Sequence, residues 1–164
     1  MSTLDTPRST NLKQRRAQSI AVTLWMLAVL FFVRVLGQAV QCWVPQSFLP
    51  PFSAFQGSGL PYPFLLSAQI LILLIMGRTA LAVSLGAVGP TGSRRKFLQV
   101  FGLIYLGGSL LRIVLGLTLP AAHPWFRAWI PEFFHLVIAA YVLTWATYGK
   151  FSGENLQHIS KFAR

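Results

Sequence analysis

Four long apolar stretches, separated by short polar or helix-breaking segments, set the pattern of this chain. They cover residues 19–42, 63–85, 97–119 and 129–148. A helix needs about 20 mainly apolar residues to cross the hydrocarbon core of a bilayer, and each stretch is long enough. Barrel strands are shorter and alternate polar with apolar positions, which these runs do not do. The pattern therefore predicts an all-α polytopic membrane protein, a four-transmembrane-helix bundle. Residues 1–164 form a single membrane domain, with tails at 1–18 and 149–164. The connections fit that count. "WVPQSFLPPFSAFQGSGLPYP" between the first two spans is rich in Pro, Gly and Ser, which break helices. "GAVGPTGSRRK" makes a tight turn, and "PAAHPWFRA" joins the last two spans.

Composition sharpens the reading. The chain is 54% hydrophobic and only 10% charged, with a mean hydropathy of +0.59. Soluble domains carry about 25% charged residues. The formal net charge of +11 would suit a nucleic acid if it were gathered on one face of a soluble domain, but it is scattered beside the apolar runs. No nucleic-acid partner is expected. The distribution instead sets an orientation. Arg8, Lys13, Arg15 and Arg16 precede span one; Arg94, Arg95 and Lys96 lie in the middle turn; Lys150, Lys161 and Arg164 follow span four. Only Arg127 lies on the opposite face, so the positive-inside rule puts both termini in the cytoplasm of a bacterial inner membrane. The basic turn suits anionic lipid headgroups. Trp43, Tyr62, Trp125 and Trp129 mark the outer boundary, and Trp145 and Tyr148 the inner one. The first span resembles a secretory signal peptide, but Arg34 interrupts it and Gln41 spoils a lipoprotein cleavage motif.

Ionisable groups within a bilayer cost about 2.5–3.5 kcal/mol each on insertion scales, so each is a functional candidate. Arg34 and Gln38 in span one, Gln69 in span two, Arg112 in span three, and Glu132 and His135 in span four fall at similar depth in the outer third of the membrane. Arg34 and Gln38 are four apart and share a face; Glu132 and His135, three apart, can both point inward. One carboxylate against two guanidiniums leaves a positive excess, suited to an anionic or carbonyl-bearing ligand such as a lipid headgroup, a quinone or a small carboxylate. The competing reading is structural: the arginines pair with Glu132 and loop carbonyls, or reach out to phosphates. Arg78 lies in the inner half of span two and can reach the cytoplasmic face.

Other chemistries find little support. His123, His135 and His158 give no pair at matched depth for haem. His123, Glu132 and His135 match no metal signature. There is no nucleophile elbow, and the single cysteine, Cys42, has no basic neighbour. No catalytic residue, metal or cofactor is therefore expected. No GxxxG pair signals a dimer seam. A transporter is the third choice, since its polar residues would sit at the midplane beside broken helices.

"GSGLPYPFLLSAQ" at 57–69 and "HPWF" at 123–126 resemble, in their order among four spans, the DoxX-type family of small bacterial membrane proteins. The resemblance implies a subunit or quinone-associated role in a membrane redox complex and carries over no catalytic residue. The leading expectation is a non-enzymatic accessory subunit or ligand- or lipid-binding module, partnered by the bilayer and by other membrane-complex subunits. The alternative is a quinone-associated component.

Overall fold

The computed structural model describes residues 7–56, 59–118 and 129–162. All the regular structure in them is helical. The order is α1 Pro7–Trp43, α2 Phe52–Phe55, α3 Tyr62–Ser84, α4 Gly92–Thr118 and α5 Trp129–Phe162. Four of these are long and apolar enough to cross a membrane, over Gln14–Trp43, Tyr62–Ser84, Gly92–Thr118 and Ile130–Gly149. Their outward faces carry Met26, Phe64, Leu71, Leu74, Leu103, Ile104 and Leu111, all more than half exposed. Water would not tolerate so much apolar surface, whereas lipid solvates it. The chain is a multi-pass membrane protein built as a four-helix bundle.

The helices run past the spans that hydropathy marks. α1 starts at Pro7, whose missing N–H costs nothing in a first turn, and continues through Lys, Gln, Arg and Ala, all good helix formers. α5 continues to Phe162, through the stretch expected as a tail. It begins at Trp129, so Pro131 stands in the first turn, where an N–H would still lack an intrahelical acceptor. α2 is a short turn of helix inside a segment whose Pro and Gly content predicts only loop.

Packing follows heptad spacing. On α1 the buried stripe runs through Ala21, Leu24, Ala28, Phe31, Val35 and Gln38, alternating by three and four, with Arg34 and Ala39 buried beside it. On α3 they are Gln69, Met76, Ala80 and Val83. These stripes meet Val137, Tyr141 and Tyr148 of α5 in one core. α1 packs against both α3 and α5, and α4 packs on α5. α4 puts only the small residues Gly102 and Ser109 into the interior. A Cβ on Gly102 would lie 2.8 Å from a Leu143 methyl, so this glycine sets how closely α4 seats on α5. Consecutive α3 and α4 are not among the closely packed pairs, and residues of both line the cavity described below.

The end that carries residues 86–91 is the turn end, and the end that carries the 44–61 connection is the loop end. At the turn end α3 closes with the Ala87 N–H bonded to the Ala82 carbonyl at 2.9 Å, and Gly86 supplies the left-handed φ of +77° this cap requires. Tyr148 then donates to the Ala87 carbonyl at 2.9 Å, and Tyr141 to the Met76 carbonyl at 2.6 Å. These two bonds tie α5 to α3 and to the turn that follows it.

Candidate functional site

The loop end is polar. Six residues that sequence position puts at one depth are Arg34, Gln38, Gln69, Arg112, Glu132 and His135, and the fold gathers them into two linked groups. The first joins α1 to α3. Arg34 Nη1 donates to Gln38 Oε1 at 2.6 Å, one turn further along α1. Gln69 Nε2 of α3 donates to the same oxygen at 3.1 Å. Arg34 Nη2 donates to the Phe55 carbonyl of α2 at 2.9 Å. A guanidinium has donors only, so Gln38 must present its oxygen to Arg34, and Gln69 must then present its nitrogen to Gln38. The amide orientations are therefore set by chemistry. They leave Arg34 Nε, Gln38 Nε2 and Gln69 Oε1 buried with no hydrogen-bond partner.

The second group joins α4 to α5. Arg112 and Glu132 form an ion pair in which the carboxylate is 1% exposed. His135 Nδ1 lies 3.7 Å from the same carboxylate oxygen, beyond hydrogen-bond range. Its ring tilts against Tyr105 with centroids 5.5 Å apart. Ser109 is buried beside Arg112, but its hydroxyl donates back to the Tyr105 carbonyl at 2.9 Å.

The two groups share a cavity of about 310 Å³. Arg34 and Phe31 line it from α1, Leu65, Ala68, Gln69 and Ile72 from α3, Tyr105 and Arg112 from α4, and Pro131, Phe134, His135 and Ile138 from α5. Phe55 of α2, 6% exposed, covers it from the loop end. A second recess of about 300 Å³ lies along α4 and α5, and Tyr105, Arg112 and His135 belong to both. The first cavity has aromatic walls. Phe134 packs edge-on to Phe31 with centroids 6.4 Å apart, and the Arg34 guanidinium carbon stands 5.8 Å from the centre of its ring, within cation–π range.

The charges are unevenly matched. Glu132 is engaged by Arg112 and the Phe55 carbonyl by Arg34, so each arginine has a partner of the kind the structural reading anticipated, but only Arg112 has a carboxylate. Arg34 is 7% exposed and meets no carboxylate among the described residues. Its oxygens are neutral: an amide and a loop carbonyl. Arg78 is exposed on α3 and outside the cluster, while His123, Trp125 and Arg127 lie outside the described residues. Among the described residues no three metal-ligating side chains gather.

Sequence reasoning misses part of the wall. Phe31 was findable, since it lies three residues before Arg34 on the buried stripe of α1. Tyr105 is seven residues before Arg112, two turns along one face of α4. Nothing in the loop composition marks Phe55 as lid and acceptor. Compared with known proteins, the chain matches no family model, no curated relative and no solved structure. The DoxX-type resemblance therefore rests on its two short motifs, and residues 57–58 and 123–126 of those lie outside the described residues.

Proposed function

We propose that this is a bacterial inner-membrane protein that binds an amphipathic small molecule or lipid in the polar cavity at the loop end, without transforming it. The observation that carries the reading is the cavity itself. A charged guanidinium and two amides, each at least nine-tenths buried, stand in or beside an open space of ligand size and keep unused hydrogen-bonding atoms. Ligand pockets start at about 300 Å³ and combine apolar walls with a few convergent polar groups, as here. Buried polar atoms are normally satisfied, so a cluster of unused ones beside a cavity marks a place not packed for stability alone. The ten-to-one bias of Lys and Arg supports placing both termini in the cytoplasm and the cavity in the outer leaflet.

Two experiments test this. Cys42 is the single thiol and is exposed near the loop end of α1. A membrane-impermeant maleimide should label it in intact spheroplasts; labelling only after permeabilisation would reverse the orientation. A diazirine-bearing dodecyl probe should crosslink preferentially to the cavity walls Phe31, Phe134 and Ile138. Crosslinks confined to outward residues such as Phe64 and Leu74 would remove the binding role.

A second reading, a quinone-associated subunit, draws on the aromatic walls of Phe31, Tyr105 and Phe134 beside the imidazole of His135. These would hold a flat ring and donate to a carbonyl. Competition of the dodecyl probe by a short-chain ubiquinone analogue would support it, and absence of competition would exclude it.

A further inference from the structure

The cavity's chemistry narrows its ligand. Arg34 is buried and meets no carboxylate among the described residues, whereas the Arg112 charge is already met by Glu132. A buried charge without a counter-ion is costly, and the loss is recovered when an anion brings its own hydrogen-bond acceptors. Arg34 commits two of its five donors, to Gln38 and Phe55, and the Nε donor is unused. Gln38 Nε2 is a further unused donor in the same group. Arg34 itself lines the cavity, so a singly charged oxyacid head there would supply the counter-charge that no described carboxylate gives it.

The rest of the cavity speaks for a chain on that head. Phe31, Leu65, Ile72, Phe134 and Ile138 surround the polar spot with apolar surface, which a small hydrated anion could not use. The way in is sideways. α2 covers the cavity from the loop end through Phe55, and α1 and α5 pack together behind it. Between α3 and α4 there is no close packing, and Ala68, an exposed residue of α3, lines the cavity there. A route on that side would let an amphiphile enter from the bilayer without leaving it.

Resting on the binding role proposed above, we infer that the cavity takes a monoanionic amphiphile, a carboxylate or phosphodiester head on an acyl chain, which enters between α3 and α4 and uses Arg34 as its counter-ion. Both a free fatty acid and an acidic membrane lipid have this chemistry.

The test uses the full chain in phosphatidylcholine nanodiscs, with thermal unfolding as the readout. Laurate, its uncharged methyl ester and acetate are the probes. Laurate should stabilise the protein saturably, with the ester binding about tenfold more weakly, as expected for the loss of one charge-assisted hydrogen bond. Acetate at equal concentration should do nothing. Arg34→Gln, which keeps a donor for Gln38, should bind laurate and ester alike. Arg78→Gln, removing an equal charge from an exposed site, should keep the laurate preference. Adding phosphatidylglycerol to the nanodiscs separates the sources. Competition with laurate assigns the cavity to an acidic lipid and its absence to a free fatty acid, and either result supports the class. Equal binding of laurate and ester by the unaltered protein, both blocked by Ala68→Phe, would overturn the anion assignment and leave the binding role standing. If neither amphiphile stabilises the protein, both fall together. Retained laurate preference in Arg34→Gln would also overturn the assignment, and the variant's unchanged ester binding shows that it is folded.

Discussion

The two ends of the bundle use the same helices and the same heptad stripes for opposite purposes. At the turn end the stripes of α1, α3 and α5 carry Ala21, Leu24, Ala28, Met76, Ala80 and Val83, and two tyrosines satisfy backbone carbonyls. Gly149 lies so close to Pro90 that no side chain fits between them. This end is tightly packed, although Arg95 Nε at the start of α4 is buried there without a partner. One or two turns further along, the same stripes carry Arg34, Gln38 and Gln69, the packing opens into a cavity, and polar atoms go unused. Uneven satisfaction of this kind points to function at the loop end and to stability at the turn end.

Breaking each end should therefore give different results. The largest effect is expected where the polar end is itself structural. Glu132→Leu leaves Arg112 without its carboxylate in a mostly buried setting and should cost about 3 kcal/mol in reversible unfolding, largely recovered in Arg112→Leu with Glu132→Leu. Failure of the double variant to recover would mean that the pair does more than hold α4 to α5. Gly149→Ala comes next. Its Cβ would overlap the Pro90 carbonyl oxygen, so the turn must shift away from α5, at about 2–3 kcal/mol in unfolding midpoint experiments. Tyr141→Phe removes one bond to the Met76 carbonyl, for about 1 kcal/mol and no change in ligand binding. Gln69→Leu should be the smallest in stability, less than about 0.5 kcal/mol, because an amide already half unsatisfied has little to lose. Its effect should appear in binding instead. If Gln69→Leu proved as destabilising as Tyr141→Phe, the contrast between the two ends would be lost.

The fold was legible because bilayer thickness converts directly into run length, and four runs of sufficient length allow little else. Depth was legible too, since position along a straight helix translates into height. That is why sequence position alone puts Arg34, Gln38, Gln69, Arg112, Glu132 and His135 at one depth. What height cannot give is the direction around the bundle. Glu132 could have paired with either arginine, and only the seating of α4 on α5, set by Gly102 against Leu143, decides for Arg112. The same limit hid that α4 packs on α5 rather than on its sequence neighbour α3. Phe55 was hidden for another reason. Its role lies in a backbone carbonyl and in burial under a one-turn helix, and neither leaves a mark in residue type.

Native mass spectrometry of the protein extracted gently from its own membrane tests the central claim most directly. The account predicts one acidic amphiphile per chain, held through detergent exchange and lost from Arg34→Gln and from Ala68→Phe. A ligand-free unaltered protein, or an amphiphile retained equally by both variants, would contradict it.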